Sequence, residues 1–164
     1  MDSIDKFNKL SKSEFISIFG NIFEKTEWVA EKCYESKPYN NLDELVSKMM
    51  KIFEKIEKER HLEILNSHPD LAVEKKLSKD SKNEQKNASL NQCTDEEFVE
   101  FKKLNEEYKK KFGFPFIIAV KGKNKEEILN SFRQRITNNI NSEFEEAKKQ
   151  VMKIASFRLS EIIK

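Results

Sequence analysis

Apolar residues recur at helical spacing along most of this chain, and this periodicity constrains the fold more than any other feature. Phe15, Phe19, Ile22 and Phe23 follow one another in steps of one to four, and a longer run extends from Leu42 to Ile56. Side chains at this spacing lie on one face of a helix. Only three Gly and three Pro interrupt the 164 residues, and no stretch alternates as a strand would. The sequence therefore predicts an all-α fold, a helical bundle formed by a single domain over residues 1–164.

Two residue pairs have the spacing of a capping box, in which a hydroxyl and a carboxylate three residues later satisfy the first N–H groups of a helix. These pairs are Thr94 with Glu97 and Ser142 with Glu145. Each precedes a run of apolar residues at helical spacing. We therefore expect one helix to begin at Thr94 and the last helix of the chain to begin at Ser142.

Charge and cysteine content argue against several classes of protein. The chain has 31 Lys and Arg against 29 Asp and Glu, so no broad field favours nucleic acid or an anionic membrane. No apolar run approaches the ~20 residues that span a bilayer, and the stretch MDSIDKFNKL lacks the apolar core of a signal peptide. Cys33 and Cys93 are too few and too far apart for a disulfide framework or a zinc cluster. We expect a reduced, cytoplasmic, soluble protein.

The stretch NSHPDLA, residues 66–72, contains His68, one of only two histidines. A helix start explains Pro69 and Asp70, because proline suits the first helical position and aspartate the first turn. It does not explain His68. A lone histidine is more often structural than catalytic, yet an imidazole at a helix entrance can present a ring nitrogen to a ligand and ordinarily titrates near neutral pH. J-domain cochaperones carry the same triplet, so a J-domain-like interaction module without catalytic activity is the alternative.

The stretch SKDSKNEQ admits two interpretations. Ser81 and Glu84 have the spacing of a capping box, and these residues alone favour that interpretation. On a helix, however, Ser81, Glu84 and Gln85 project within one arc and can form part of a site.

The stretch KFGFPFIIAVKG, residues 111–122, is apolar but not obviously helical. Gly113 suits a positive φ, and Pro115 stiffens the chain just before the apolar run. Its phenylalanines can simply belong to the core. Its backbone N–H groups must nevertheless find acceptors, and a ligand is one candidate.

Arg158 lies on the apolar stripe of the last helix, at the same spacing as Val151, Ile154 and Leu159. A buried arginine is costly unless it is paired. One explanation is that the side chain extends along the bundle surface to reach solvent. The other is an anion receptor, because a guanidinium binds a carboxylate or planar amide through two parallel hydrogen bonds.

These stretches together carry a resemblance to a known family. HPDLA, SKNEQ, FGFPFIIAVKG and IASFRL follow one another along the chain, and FEKTEWVAEKCYESKPY precedes them. In this order they resemble the family that decarboxylates 2-oxo-4-hydroxy-4-carboxy-5-ureidoimidazoline (OHCU) in urate degradation. The resemblance covers nearly the whole chain. Two departures stand out: Thr26-Glu27 replaces a Ser-Pro that many members carry, and Ser89 stands where a glycine is usual.

The resemblance implies cofactor-independent decarboxylation of OHCU to (S)-allantoin, with no metal and with a homodimer as the expected assembly. His68 matches the family's catalytic residue and is expected to donate a proton, while Glu84 would hold its imidazolium or the substrate hydroxyl. The backbone from Phe116 to Val120 would supply amide hydrogen bonds. The residues that the resemblance assigns to substrate binding are Pro69, Ser81, Gln85, Phe116, Ile117, Ile118, Ala119, Val120 and Arg158.

Overall fold

The computed structural model describes residues 3–72 and 78–163, and throughout this part of the chain the regular structure is helical, with no strand. The prediction of an all-α fold is confirmed. The helices are α1 (Ser3–Asn8), α2 (Lys12–Phe19), α3 (Glu27–Glu35), α4 (Leu42–Glu54), α5 (Lys58–Asn66), α6 (Lys79–Asn87), α7 (Asp95–Phe112), α8 (Lys125–Arg135) and α9 (Ile140–Ile162), with one 3-10 turn at Leu90–Gln92.

The chain forms two compact units. The first consists of Met1–Ser67 and Met152–Lys164, and the second of His68–Val151, so α9 contributes its N-terminal part to the second unit and its C-terminal part to the first. That residues 1–164 form a single domain stays a prediction. None of the described helices is long and apolar enough to cross a membrane.

Aromatic side chains form the core of the first unit. Phe19 packs edge-on against Phe7, with ring centroids 5.2 Å apart, and lies 4.6 Å from Phe15. Phe23 stacks on Phe53 at 4.8 Å. The residues Phe15, Phe19, Phe23 and Phe53 are at most 1 % exposed. Burial of these rings is the main stabilising contribution to the unit.

The predicted helical run that includes Phe15 and Phe19 ends earlier than its apolar residues indicate. Helix α2 stops at Phe19, and Gly20 follows, where a Cβ would lie only 2.4 Å from the carbonyl oxygen of Ile16. Ile22 and Phe23 lie beyond the end of α2, in a non-helical turn, and both side chains are buried. Their spacing therefore reports burial and not a continuing helix.

The core of the second unit surrounds a non-helical segment. Phe116, within that segment, stacks on Phe132 of α8 with centroids 3.9 Å apart and planes 7° apart. Tyr108 of α7 packs edge-on against both rings, at 5.4 and 5.9 Å. Gly113 ends α7 with a φ of +82°, as its sequence context predicts. The aromatic rings therefore pack a non-helical segment into the core of a helical unit.

Helix starts agree with the sequence in one case and not in the other. The capping box of Thr94 and Glu97 is confirmed, with Glu97 N donating to Thr94 Oγ1 at 3.1 Å and Thr94 N donating to Glu97 Oε1 at 3.0 Å. A hydrogen bond from Lys125, followed by the one from Thr94 N–H, lowers the pKa of Glu97 to about 2. The box predicted at Ser142 is wrong, because α9 begins at Ile140 and the Asn139 side chain accepts from Ser142 N at 2.8 Å.

Ser89 adopts the left-handed conformation, with a φ of +63° in the turn before the 3-10 helix. A Cβ is disfavoured in this region, and glycine populates it freely. The position at which the family usually carries glycine is thus one where glycine relieves strain.

We expect Ser89→Gly to stabilise the protein by about 0.5–1 kcal/mol, the strain relieved less the added entropy of the unfolded chain. Gly113→Ala should have the opposite sign and cost about 1 kcal/mol or more, because nothing lies within 4 Å of the new Cβ and only its φ of +82° is strained. Urea unfolding measures both changes. A destabilised Ser89→Gly protein would show that the Ser89 side chain contributes more than its backbone strain costs.

Candidate functional site

His68 lies in a buried turn that follows α5. Helix α5 ends at Asn66, and none of the residues from His68 to Ala72 is helical, so no helix begins at Pro69. The helix-start interpretation of Pro69 and Asp70 is therefore wrong. His68 and Asp70 are each 8 % exposed, and Pro69 is half-buried.

This burial also contradicts the J-domain-like alternative. An interaction module would have to present His68 and Asp70 on a convex surface, whereas the structure removes both from solvent. A buried imidazole suits contact with a small molecule better than contact with a partner protein.

Ser81, Glu84 and Gln85 lie within helix α6, after its N-cap. The residue that caps α6 is Ser78, whose side chain accepts from Ser81 N at 3.1 Å. The capping box predicted for Ser81 and Glu84 is wrong, because both residues follow Lys79, the first residue of the helix. Ser81 and Gln85 are buried, and Glu84 is half-buried. The carboxylate of Glu84 is not used to begin a helix.

Gln85 connects α6 to the turn that carries His68. Its Nε2 donates to Asp70 O at 3.2 Å, and its Oε1 accepts from Ala72 N at 3.1 Å. Both ends of the amide thus bind the backbone of the turn. A contact of Gln85 with substrate stays a prediction.

Helix α7 supplies two further contacts that the sequence did not reveal. Asn105 Nδ2 donates to Leu71 O at 3.0 Å, and Lys109 Nζ forms an ion pair of 2.5 Å with Asp70 Oδ2. The one available signal was a polar Asn105 among the apolar residues of α7. No local pattern links it to a turn 34 residues away.

The segment from Phe116 to Val120 has no regular secondary structure and is buried, with exposures of 1 to 7 %. Two protein groups hold it: Ala119 N donates to Gln150 Oε1 at 2.9 Å, and Arg135 Nη1 donates to Ile117 O at 2.7 Å. Within residues 3–72 and 78–163, the other N–H groups of this segment meet no hydrogen-bond acceptor. That these N–H groups bind substrate oxygens stays a prediction.

A buried charge cluster that includes Arg135 holds this segment in place. The carboxylate of Glu143, which is fully buried, accepts from Tyr108 Oη at 2.6 Å, from Arg135 Nε at 3.0 Å and from Asn138 Nδ2 at 3.1 Å. The Arg135 guanidinium also lies 4.4 Å from the centroid of the Phe116 ring. Burial, and then the neighbouring carboxylate, raises the pKa of Tyr108 well above its usual value, so the hydroxyl stays a donor.

Arg158 is part of the first unit, where it is 6 % exposed. Its Nη2 lies 2.7 Å from Glu24 Oε2, and its Nη1 donates to Asn21 O at 2.7 Å. Since the Arg158 side chain is buried and paired with a fully buried carboxylate, the interpretation in which it reaches solvent is wrong. That Arg158 also binds substrate stays a prediction.

We expect Arg158→Met to destabilise the protein by about 3–5 kcal/mol, because it removes the guanidinium that pairs with the fully buried Glu24 carboxylate. The double variant Glu24→Gln with Arg158→Met should recover most of this loss, since it removes both charges. Urea unfolding of the two single variants and the double variant gives the coupling energy. Additive losses would contradict the ion pair as the reason for the destabilisation.

Comparison with known proteins identifies the family of this chain. The sequence profile of the family described as OHCU decarboxylase matches residues 8–160. The fold is all-α over the described residues, and the chain belongs to the OHCU decarboxylase family.

Individual relatives show the extent of the match. The chain is 40 % identical over 164 residues to a uric acid degradation bifunctional protein of Bacillus sp. (strain TB-90), covering all of this chain and 33 % of that protein. It is 35 % identical to the 2-oxo-4-hydroxy-4-carboxy-5-ureidoimidazoline decarboxylase of Haloferax volcanii, covering 97 % of this chain and 95 % of the relative. A solved OHCU decarboxylase, determined in the presence of (S)-allantoin, is similar with a TM-score of 0.73 at 25 % identity, over 87 % of this chain and 95 % of the other. The chain thus spans about a third of the bifunctional relative and nearly all of the archaeal decarboxylase.

Proposed function

We propose that this chain decarboxylates OHCU to (S)-allantoin and CO₂ without a cofactor, as a carbon–carbon lyase of urate degradation. The observation that carries the proposal is the buried turn of His68, held by α6 in a chain of the OHCU decarboxylase family. The bifunctional relative of Bacillus is named for uric acid degradation, which supports the pathway.

The substrate provides its own electron sink. The ring carbon that bears the carboxylate also bears a hydroxyl, and its neighbour forms a C=N bond. When the C–CO₂ bond breaks, its electron pair forms a C=C bond while the C=N electrons move to nitrogen, which takes up a proton. The resulting enol becomes the ring carbonyl when its hydroxyl releases a proton and the ureido-bearing carbon gains one. The protein has to orient the substrate and deliver that last proton to one face.

The described residues fit these tasks. We assign the proton delivery to His68, and to Glu84 the orientation of the imidazolium or of the substrate hydroxyl. Ser81 lies three residues before Glu84 in α6, on the same side of the helix, which supports its assignment to binding of the same substrate. The backbone N–H groups between Phe116 and Val120 that no protein group uses would bind carbonyl or carboxylate oxygens of the substrate. Pro69 and Gln85 complete the proposed set of substrate contacts in the second unit, and the assignment of Arg158 to substrate binding rests on the family resemblance alone.

The surroundings of the enzyme belong to the same proposal. We expect a homodimer in the cytoplasm, with a small ureidoimidazoline as substrate and no nucleic-acid partner, as the family resemblance implies. Sedimentation equilibrium of the purified chain tests the dimer, and a monomer at micromolar concentration would contradict it.

We expect His68→Gln to lower the rate of (S)-allantoin formation by about 10²–10⁴-fold, the range for loss of an acid–base group. Urate, urate oxidase and hydroxyisourate hydrolase generate OHCU in the cuvette, and circular dichroism follows the optically active product. His61→Gln is the matched control, because the other histidine is buried against Phe53 O at 2.7 Å and has a structural role. The folded fraction of the His61→Gln protein should form (S)-allantoin at the wild-type rate. A fully active His68→Gln protein would remove this histidine from the reaction.

We expect Glu84→Gln to lower the rate by about 10²-fold or more, because the carboxylate orients a reacting group and does not cap α6. Glu97→Gln is the matched control, since Glu97 belongs to a real capping box, in which glutamine serves nearly as well. The same dichroism assay compares the two variants. A change of less than threefold in Glu84→Gln would exclude Glu84 from catalysis.

A further inference from the structure

We propose that one face of α7, formed by Asn105 and Lys109, positions His68 by holding the turn on which it lies. The inference rests on the proposed function, because it concerns the geometry of the same histidine. Residues four apart lie on one side of a helix, so Asn105 and Lys109 meet the turn together. Neither is expected to touch substrate; both act through the segment from His68 to Ala72.

Packing alone does not explain why a buried asparagine occupies position 105. Its side chain is 3 % exposed, and Nδ2 must be the atom at Leu71 O, since a carbonyl accepts only from a donor. Its Oδ1 is buried and meets no hydrogen-bond donor among the described residues. A buried polar atom without a partner is costly, so an amide at this position calls for a reason other than packing. Holding the carbonyl of Leu71 is such a reason.

The contact of Lys109 leads to the same conclusion by a different route. The side chain of Lys109 is 41 % exposed, while that of Asp70 is 10 % exposed. A half-exposed ion pair contributes little to the free energy of unfolding. It does fix the Asp70 carboxylate, which lies two residues after His68. The pair therefore affects local geometry more than it affects stability.

The turn itself requires such restraint. Ala72 has a φ of +53°, in the left-handed region that a Cβ disfavours. A strained backbone of this kind persists only where its surroundings hold it. Gln85 of α6 holds the turn at Asp70 O and Ala72 N, and α7 holds it at Leu71 O and the Asp70 carboxylate. Removing the α7 contacts should leave the turn in place but less well defined.

The test is Lys109→Met, which keeps the stem of the side chain and removes the charge. We expect kcat to fall by about 10- to 100-fold, the scale for a small misplacement of a reacting group, with little change in KM. The melting temperature should fall by no more than about 4 °C. Lys109→Arg keeps the ion pair and should restore kcat. Lys103→Met is the matched control on the same helix, because the 74 % exposed side chain of Lys103 pairs only weakly with Glu107, at 3.9 Å.

A second measurement separates positioning from a structural role. Nitrogen-15 NMR of the two imidazoles reports their titration, and His61 is an internal reference because its Nε2 lies against Phe53 O in the first unit. Lys109→Met should shift the imidazole resonances of His68 and leave those of His61 unchanged. Lys103→Met should shift neither. Asn105→Leu should act on His68 in the same way, and Lys109→Met decides the matter if Asn105→Leu does not fold.

The outcomes distinguish this inference from the proposed function. An active wild type together with a Lys109→Met variant of unchanged kcat and unchanged His68 resonances would overturn the positioning role and leave the proposed function intact. A kcat that falls only in proportion to the folded fraction would also overturn it. A wild type that does not accelerate allantoin formation would overturn the proposed function, and the inference with it.

Discussion

The backbone of the buried turn from His68 to Ala72 has to be hydrogen-bonded by side chains, because the turn belongs to no described helix or strand. Gln85 and Asn105 provide those bonds from two different helices. The requirement explains why two buried amides lie where apolar residues would otherwise pack. It also explains how a lone histidine is held in a defined place without a helix of its own.

A second set of buried groups holds the backbone of the non-helical segment from Phe116 to Val120. Glu143 is an uncompensated charge unless Arg135 and Tyr108 surround it, and the same Arg135 holds Ile117 O. Replacing Arg135 would remove both the guanidinium that pairs with the buried Glu143 carboxylate and the hydrogen bond to Ile117 O. Rigid support of this kind leaves N–H groups in a fixed direction, which is what selective binding of a planar ligand requires.

The sequence predicted what local physics decides. Helical periodicity predicted the all-α class, and Thr94 and Gly113 behave as their neighbours indicate, because caps and left-handed turns depend on a few adjacent residues. At the start of α6 the residues alone favoured Ser81 as the N-cap, whereas Ser78 caps the helix and Ser81 is buried within it. The two serines are chemically equivalent, so the local pattern could not distinguish them. The contacts of α7 with the turn could not be predicted from the sequence, because a contact between residues 34 positions apart leaves no periodic signal. The family resemblance assigned roles to site residues that the residues alone could not.

The most direct test of the central claim is the fate of one proton. OHCU generated from urate in D₂O should yield, with the wild-type chain, (S)-allantoin that carries one deuterium on the ureido-bearing carbon, with one CO₂ released per molecule. NMR and mass spectrometry measure the deuterium, and circular dichroism measures the handedness before it is lost by racemisation. Racemic allantoin formed at the rate seen without the protein would contradict the proposal that this chain directs the proton to one face.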